Sequence, residues 1–118
     1  MAANPVVPTA ELQLSTEKNP GEIIVHGAGR ITSATSDLLQ STIRGLIPGT
    51  KRIVLDLTEV NYIDSSGLGT LVSVYMAASR AQCDLELANP RSRIRDLLKM
   101  TRIDSVFEGH GENYFTGM

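Results

Sequence analysis

Residues 52–75 read RIVLDLTEVNYIDSSGLGTLVSVY, and this stretch predicts a strand, a polar turn and a helix in direct succession. Its first part, Ile53–Leu57, is a nearly unbroken apolar run, as expected of a strand covered on both faces within a parallel sheet. After the polar residues 64–67, apolar side chains recur with the i, i+3, i+4, i+7, i+8 spacing of a helix that buries one stripe. The stripe is expected to contain Leu68, Leu71, Val72, Tyr75 and Met76. Residues 64–67 are therefore expected to open a helix.

The start of this helix has a definite chemistry. Its first N–H groups lack intrahelical partners and lie at the positive end of the helix dipole, so the position tolerates an added phosphate. Asp64, Ser65 and Ser66 are all residue types that cap helices, although capping requires only one of them. We expect Ser66, which is nearer the helix, to be the cap.

The string VLDLTEVNYIDSSGLGTL, which begins at Val54, resembles the sulfate transporter and anti-sigma antagonist (STAS) domain, and most closely the bacterial anti-sigma-factor antagonists. In that family the serine directly after the aspartate is the phosphoacceptor, which corresponds to Ser65. The resemblance covers residues 11–108. It implies an α/β fold, in which helices pack against a mixed, mostly parallel sheet with an antiparallel hairpin at its N-terminus.

One turn departs from the family pattern. Residues 29–32 read GRIT, whereas many regulatory members have an acidic, GELD-like turn. Thr32 therefore stands in a usually acidic position, and a carboxylate is missing near the phosphoacceptor.

The first half of the chain predicts the same order of elements from its own pattern. Residues 11–16 alternate as a strand, residues 18–21 have strong turn chemistry, and residues 22–26 form a second, apolar strand. The two strands are expected to form an antiparallel hairpin. An amphipathic helix is predicted between Ala34 and Ile47, with Ser33 as its N-cap.

The second half continues the alternation of strand and helix. Residues 83–88 alternate as a strand towards the edge of the sheet. Asn89 is the expected N-cap of a third helix, with Pro90 at its first position. Ile103–Phe107 is expected to add a short final strand. Alternating helices and strands require crossover connections, which again indicates a mostly parallel sheet.

The composition indicates a single domain. The chain has 118 residues, of which 42% are hydrophobic, and a net charge of -2, which argues against binding to nucleic acid. No stretch suits direct membrane insertion, and a cytoplasmic location is expected. We expect a flexible leader at 1–10, the domain at 11–108 and a C-terminal tail at 109–118. A lone Cys83 excludes an internal disulfide and a multi-cysteine metal site, and neither metal nor cofactor is expected.

Two enzymatic or phosphoacceptor alternatives can be compared with this interpretation. Ser65 could act as a nucleophile with His26 or His110, but the G-x-S-x-G elbow is missing. Asp56 could be the phosphoacceptor of a receiver domain, but the acidic pair after the first strand and the late lysine of that fold are missing. No catalytic residue is therefore predicted, and the domain is not expected to be an enzyme.

The predicted function is binding of a protein partner. Small residues on the helix side opposite the apolar stripe would let another protein approach closely. The partner-binding residues are expected to be Asp64, Ser65, Ser66, Gly67, Gly69, Thr70 and Ser73.

The resemblance further implies an anti-sigma-factor antagonist controlled by phosphorylation. Unphosphorylated, it would bind an anti-sigma factor, which is often the serine kinase itself. Phosphorylation of Ser65 would release it, and a phosphatase would reset it. The alternative is a STAS interaction subunit of a transporter or signalling assembly that is not phosphorylated.

Overall fold

The computed structural model describes residues 11–108 and 115–116. One sheet holds the strands in the order β1-β2-β3-β4-β5, with β1 antiparallel to β2 and every other neighbouring pair parallel. The mixed α/β fold is thus confirmed. No helix in the described ranges combines the length and apolarity needed to cross a membrane. The elements are β1 (Leu12–Asn19), β2 (Glu22–Ile31), α1 (Ser36–Leu46), β3 (Arg52–Ile63), α2 (Ser65–Arg80), β4 (Asp84–Ala88), α3 (Ser92–Met100), α4 (Ile103–Glu108) and β5 (Phe115–Thr116).

The predicted hairpin is confirmed. β1 pairs with β2 from Leu12↔Gly29 to Asn19↔Glu22, which leaves only Pro20 and Gly21 in the turn. Gly21 has φ +79°, a left-handed conformation that residues with a side chain rarely adopt.

The two faces of the sheet differ in composition. Val25, Leu55 and Leu87 lie side by side on β2, β3 and β4 and are fully buried, in one core with Leu39 of α1 and Leu71 of α2. His26 follows Val25 on β2, and Asp56 follows Leu55 on β3. Both point to the opposite side of the sheet because strand side chains alternate. We call the side that carries His26 and Asp56 the open face, since both residues retain contact with solvent.

β3 extends beyond the apolar run that predicted it. That run covers Ile53–Leu57 and the polar turn was expected at residues 64–67; β3 continues to Ile63 and α2 begins at Ser65. Pairing with β2 extends this far, through Ile31↔Ile63, with two register shifts on the way. As a result, the end of the strand and the first turn of the helix are held to the same neighbouring strand.

Two predicted helix caps are wrong. α1 begins at Ser36, not near Ser33, and the hydroxyl of Thr35 donates a 2.9 Å hydrogen bond to the carbonyl oxygen of Arg30. α3 begins at Ser92 with Arg91 as its N-cap. Asn89 has φ +56° and donates from its side chain to Asp56 at 3.3 Å, so it belongs to the open face instead.

The end of the domain also differs from the prediction. Ile103–Phe107 was expected as a strand, but it lies within helix α4, where the Phe107 ring packs 4.8 Å from that of Tyr75. Within the predicted tail, β5 pairs with β4, so part of residues 109–118 joins the sheet. The predicted leader, residues 1–10, and His110 lie outside the described residues. Cys83 is buried, and burial raises the pKa of its thiol.

Candidate functional site

Asp64 caps α2. Its backbone is extended, with φ -102° and ψ -174°, and its carboxylate accepts a hydrogen bond from the N–H of Gly67 at 2.8 Å. The Asp64 N–H in turn donates to the carbonyl oxygen of Ile31 at 3.2 Å. The prediction that Ser66 is the cap is therefore wrong, because Ser66 already lies inside the helix.

Gly67 fixes the helix against the strands. It is buried, and a Cβ added here would stand 2.1 Å from the carbonyl oxygen of Ile31 and 2.9 Å from the Ile63 side chain. Only glycine permits this approach of helix to backbone. Gly67 thus determines where the first turn sits, and its predicted contact with a partner stays a prediction.

Ser65 and Ser66 are exposed on the first turn of α2. In the part of the chain that the structure describes, neither hydroxyl takes part in a hydrogen bond. The helix dipole adds positive partial charge at this end. Gly69 follows on the same side, one turn later, where an added Cβ would meet no atom within 4 Å. We call Ser65, Ser66 and Gly69 the helix-start surface.

Thr70 and Ser73, both predicted to contact a partner, face α1 instead. Thr70 is only 3% exposed; its hydroxyl pairs with that of Ser36 and also donates to the carbonyl oxygen of Ser66 at 3.0 Å. Ser73 is half-buried and donates to the side chain of Gln40 at 3.3 Å. Two hydroxyl-bearing residues of the predicted surface therefore form hydrogen bonds that join α2 to α1. The expectation that Thr70 is exposed is wrong.

Met76 differs from its prediction in the other direction, because it was expected to be buried and is exposed. It was expected in the buried stripe of α2 but is 45% exposed, and Val72 is half-buried. The buried side of α2 is therefore rotated around the helix axis relative to the predicted stripe. Its members are Gly67, Leu68, Thr70, Leu71, Val74, Tyr75 and Ala78.

A second polar cluster lies on the open face, around His26. Its Nδ1 lies 2.8 Å from Asp56 Oδ2 and its Nε2 lies 3.0 Å from Glu17 Oε1. Ionised carboxylates only accept hydrogen bonds, so both of these bonds form together when both ring nitrogens carry a proton, that is, in the positively charged imidazole. The hydrogen bond to Glu17, and next that to Asp56, raises the pKa of His26 above its ordinary value of 6.5. The sequence analysis did not identify this cluster, because the partners of His26 lie 9 and 30 residues away along the chain.

The carboxylates of this cluster are correspondingly acidic. Partial burial opposes ionisation of Asp56, but hydrogen bonds from Thr58 and His26 outweigh it and hold the pKa of this carboxyl below its ordinary value. The hydrogen bond from His26 lowers the pKa of Glu17 as well. Depressions of about 380 and 300 Å³ lie on either side of the His26–Asp56 pair. No group of three or more His, Cys, Asp or Glu residues within 11–108 and 115–116 is arranged to hold a metal ion.

Comparison with known proteins identifies the family. The model of the STAS domain matches residues 13–115 of this chain. The chain belongs to the STAS domain family. One relative, the anti-sigma-B factor antagonist of Listeria monocytogenes, is 30% identical over 94 residues, which cover 78% of this chain and 82% of the relative. Another, the anti-sigma F factor antagonist of Paenibacillus polymyxa, is 28% identical over 104 residues, or 82% of this chain and 87% of the relative.

Solved structures show that this STAS domain has the fold of its relatives. The crystal structure of an anti-sigma factor antagonist from Mycobacterium paratuberculosis superposes with a TM-score of 0.74 at 21% identity, covering 86% of this chain and 87% of that one. The Bacillus cell fate determinant SpoIIAA in its phosphorylated form superposes with a TM-score of 0.63 at 14% identity, over 79% of this chain and 86% of that one.

The STAS domain also presents, next to the last residues of β2 and β3, an exposed pair that the sequence analysis did not include among the site residues. Arg30 and Tyr62 are paired neighbours on β2 and β3, and the Arg30 guanidinium carbon lies 4.4 Å from the centre of the Tyr62 ring. Tyr62 is 43% exposed and Arg30 is exposed. A signal was present, since each directly precedes a buried isoleucine and must point the other way along its strand.

Proposed function

We propose that this STAS domain is an anti-sigma-factor antagonist controlled by phosphorylation of Ser65. In its unphosphorylated form it binds an anti-sigma factor in the cytoplasm, and this partner or another protein supplies the serine kinase activity. Phosphorylation of Ser65 ends the complex, and a phosphatase restores it. The domain itself catalyses no reaction. The observation that carries the proposal is the exposed, unbonded hydroxyl of Ser65 on a helix turn fixed by Asp64 and Gly67.

The position of Ser65 suits a modification that changes a surface without unfolding the domain. A phosphate adds about -1.5 to -2 charges at neutral pH and is favoured at the N-terminus of a helix. Asp64 already bonds the Gly67 N–H, so the cap persists when Ser65 is modified. The new charge lies beside the Asp64 carboxylate, and burying both under a partner carries a large desolvation cost.

The relatives give independent support. Two proteins similar over most of this chain are named anti-sigma factor antagonists, and SpoIIAA, which shares the fold, has been solved in a phosphorylated form. These names describe those proteins, and they favour the same class of partner for this chain.

A second candidate is a STAS interaction subunit of a transporter or signalling assembly that is never phosphorylated. Thr32 favours it, because this residue occupies a usually acidic position. Thr32 is buried, and its hydroxyl accepts from the Ala34 N–H at 3.1 Å, so it offers no charge to a kinase. The two candidates differ in whether Ser65 carries phosphate in cells.

The test of the phosphoacceptor uses wild type, Ser65→Ala and Ser66→Ala, each incubated with a purified anti-sigma factor that has a serine kinase domain, plus ATP. Peptide mass spectrometry should find one phosphate on wild type and on Ser66→Ala, and none on Ser65→Ala. Ser66 is the matched control because it is also exposed and also lies in the first turn. Phosphate that persists in Ser65→Ala would overturn the assignment.

The test of the binding surface uses the same partner and isothermal calorimetry. Ser65→Asp should bind at least tenfold more weakly than wild type, and Gly69→Arg should not bind detectably, because its side chain fills space that a partner would use. Gly45→Arg is the matched control: Gly45 is exposed near the end of α1, and a Cβ there also meets nothing within 4 Å. Equal binding by Gly69→Arg and Gly45→Arg would show that the helix-start surface is not the interface.

A further inference from the structure

Arg30 and Tyr62 lie close enough to Ser65 to share its interface. Tyr62 precedes Ser65 by three residues, so their Cα atoms are at most about 11 Å apart. Arg30 is the cross-strand neighbour of Tyr62. A standard interface buries about 800 Å² on each partner, and a patch of that size extends well beyond this distance. A protein that covers Ser65 with an interface of this size can therefore also reach Arg30 and Tyr62.

The guanidinium of Arg30 lies over the Tyr62 ring, with its central carbon 4.4 Å from the ring centre. None of its N–H donors makes a hydrogen bond to another described residue. Within the described residues, Arg30 takes part in no salt bridge. Arg52 is the contrast, since its guanidinium lies between Glu22 at 3.1 Å and Glu86 at 2.9 Å. Arg52 stabilises the sheet, whereas Arg30 is available to an outside anion.

We propose that Arg30 and Tyr62 form a receptor for a carboxylate of the anti-sigma factor, an inference that rests on the function proposed above. An arginine fork binds a carboxylate through two parallel N–H···O bonds. The exposed part of the Tyr62 ring supplies apolar area next to this charge pair. Arginine and tyrosine are enriched among the residues that carry most of the binding energy at interfaces. The partner surface that meets these two residues is therefore acidic with an adjoining apolar side chain.

The receptor selects its partner by charge. A partner with a basic residue at this place is rejected, because two like charges would be brought together without water. The domain would thereby discriminate among anti-sigma factors that have the same fold but differ in one charge.

The experiment compares calorimetric affinities of one purified anti-sigma factor for wild type, Arg30→Glu, Arg30→Lys and Tyr62→Ala. We expect Arg30→Glu to bind about 30-fold or more weakly, the factor that corresponds to a strong interface residue. Arg30→Lys, which keeps the charge but not the fork, should lie between wild type and Arg30→Glu. Arg93→Glu, at an exposed position on α3, is the matched charge reversal and should bind as wild type does. Circular dichroism checks that each variant is folded. If Arg30→Glu does not fold, the affinity of Tyr62→Ala tests the receptor in its place.

A reciprocal substitution then identifies the carboxylate. Aspartates and glutamates on the partner's surface are changed to arginine one at a time, and one of them should restore binding to Arg30→Glu while weakening binding to wild type. Such a double-mutant cycle isolates the pair interaction. Failure of every such substitution to restore binding would overturn the receptor.

The outcomes separate this inference from the proposed function. If wild type binds and Ser65→Asp weakens binding, but Arg30→Glu binds like wild type, the receptor alone is refuted. If wild type does not bind at all, both are refuted. If Arg30→Glu binds normally and only alters the thermal stability of the protein phosphorylated on Ser65, then Arg30 serves the phosphate of its own chain, and a partner carboxylate is not its ligand.

Discussion

The open face of the sheet and the helix-start surface are both polar, but their groups are used differently. On the open face, His26 has a carboxylate at each ring nitrogen, and Asp56 also accepts from Thr58 and Asn89. On the helix-start surface, the hydroxyls of Ser65 and Ser66 have no partner within residues 11–108 and 115–116. Beneath them, Asp64 and Gly67 hold the backbone tightly.

Polar groups that bond to each other within the fold stabilise it, whereas polar groups without partners remain available to bind another molecule. The His26 cluster joins β1, β2 and β3 and should contribute to stability. The helix-start surface contributes little to stability through its exposed side chains, but its position is set by the buried residues below it. Changing the buried residues should therefore cost far more stability than changing the exposed ones.

The largest expected effect comes from Gly67→Ala. The added methyl group would stand 2.1 Å from the Ile31 carbonyl oxygen, so α2 must move away from the strands. Urea unfolding should show a loss of roughly 3 kcal/mol in the free energy of unfolding. Gly69→Ala is the matched control; it has open space around it and should gain about 1 kcal/mol from helix propensity. Equal effects at the two positions would contradict the tight packing assigned to Gly67.

A smaller effect is expected for the cap. Asp64→Ala removes the acceptor of the 2.8 Å hydrogen bond from the Gly67 N–H and should lower the free energy of unfolding by about 1 kcal/mol. Asp64→Asn, which retains an acceptor oxygen, should lose less. Ser66→Ala should be close to neutral in the same urea titration. A loss with Ser66→Ala that equals the loss with Asp64→Ala would mean that the serine shares the capping role.

The smallest expected effect is the pH dependence that His26 gives to stability. Because the folded state raises the pKa of His26, its contribution is complete below the ordinary value of 6.5 and is lost as the pH rises through the folded-state value. The pKa values of Glu17 and Asp56 are lowered, so their contributions are lost only as the pH falls through the acid range. The effect is small because the His26 side chain is 42% exposed and solvent screens its charge.

Unfolding of wild type and His26→Gln at pH 6 and pH 8.5 measures this contribution. Wild type should lose more stability than the variant between these two values. The other charged groups of the open face, Glu22, Arg52, Glu59 and Glu86, are common to both proteins and cancel in the comparison. A parallel decline in the two proteins would show that the His26 cluster does not couple protonation to folding.

The sequence predicted the element order well because most elements have a strong period. The hairpin, the central strand and α2 followed from alternation, turn residues and helical spacing. The prediction from sequence failed where a contact with residues far along the chain decides the local structure. Ile103–Phe107 has the composition of a strand, yet it forms a helix that places Phe107 against Tyr75. Thr58–Ile63 lacks an unbroken apolar run, yet pairing with β2 keeps it extended.

The candidate site was predicted in part for the same reason. Asp64 and Ser65 lie at the start of α2, where the strand–helix pattern placed them, and Ser65 as the phosphoacceptor stays a prediction. Thr70 was placed on the surface because it lies opposite the expected apolar stripe of α2, but its hydroxyl is hydrogen-bonded to that of Ser36 on α1 inside the molecule. Gly67 and Gly69 look equivalent in the sequence, and only the position of the Ile31 carbonyl distinguishes them. Arg30 was noticed only as a departure from the family pattern, since its stacking on Tyr62 depends on strand register.

The contact between Gly67 and the Ile31 carbonyl has a consequence for protein engineering. At this point the backbone of α2 contacts the backbone of β2 with no side chain between them, and this contact sets the distance from helix to strand. Ser66, Gly69, Arg30 and Tyr62 can therefore be exchanged in libraries, with Ser65 kept, without redesigning the core beneath them. Such libraries would yield variants on one scaffold that are each matched to a different partner.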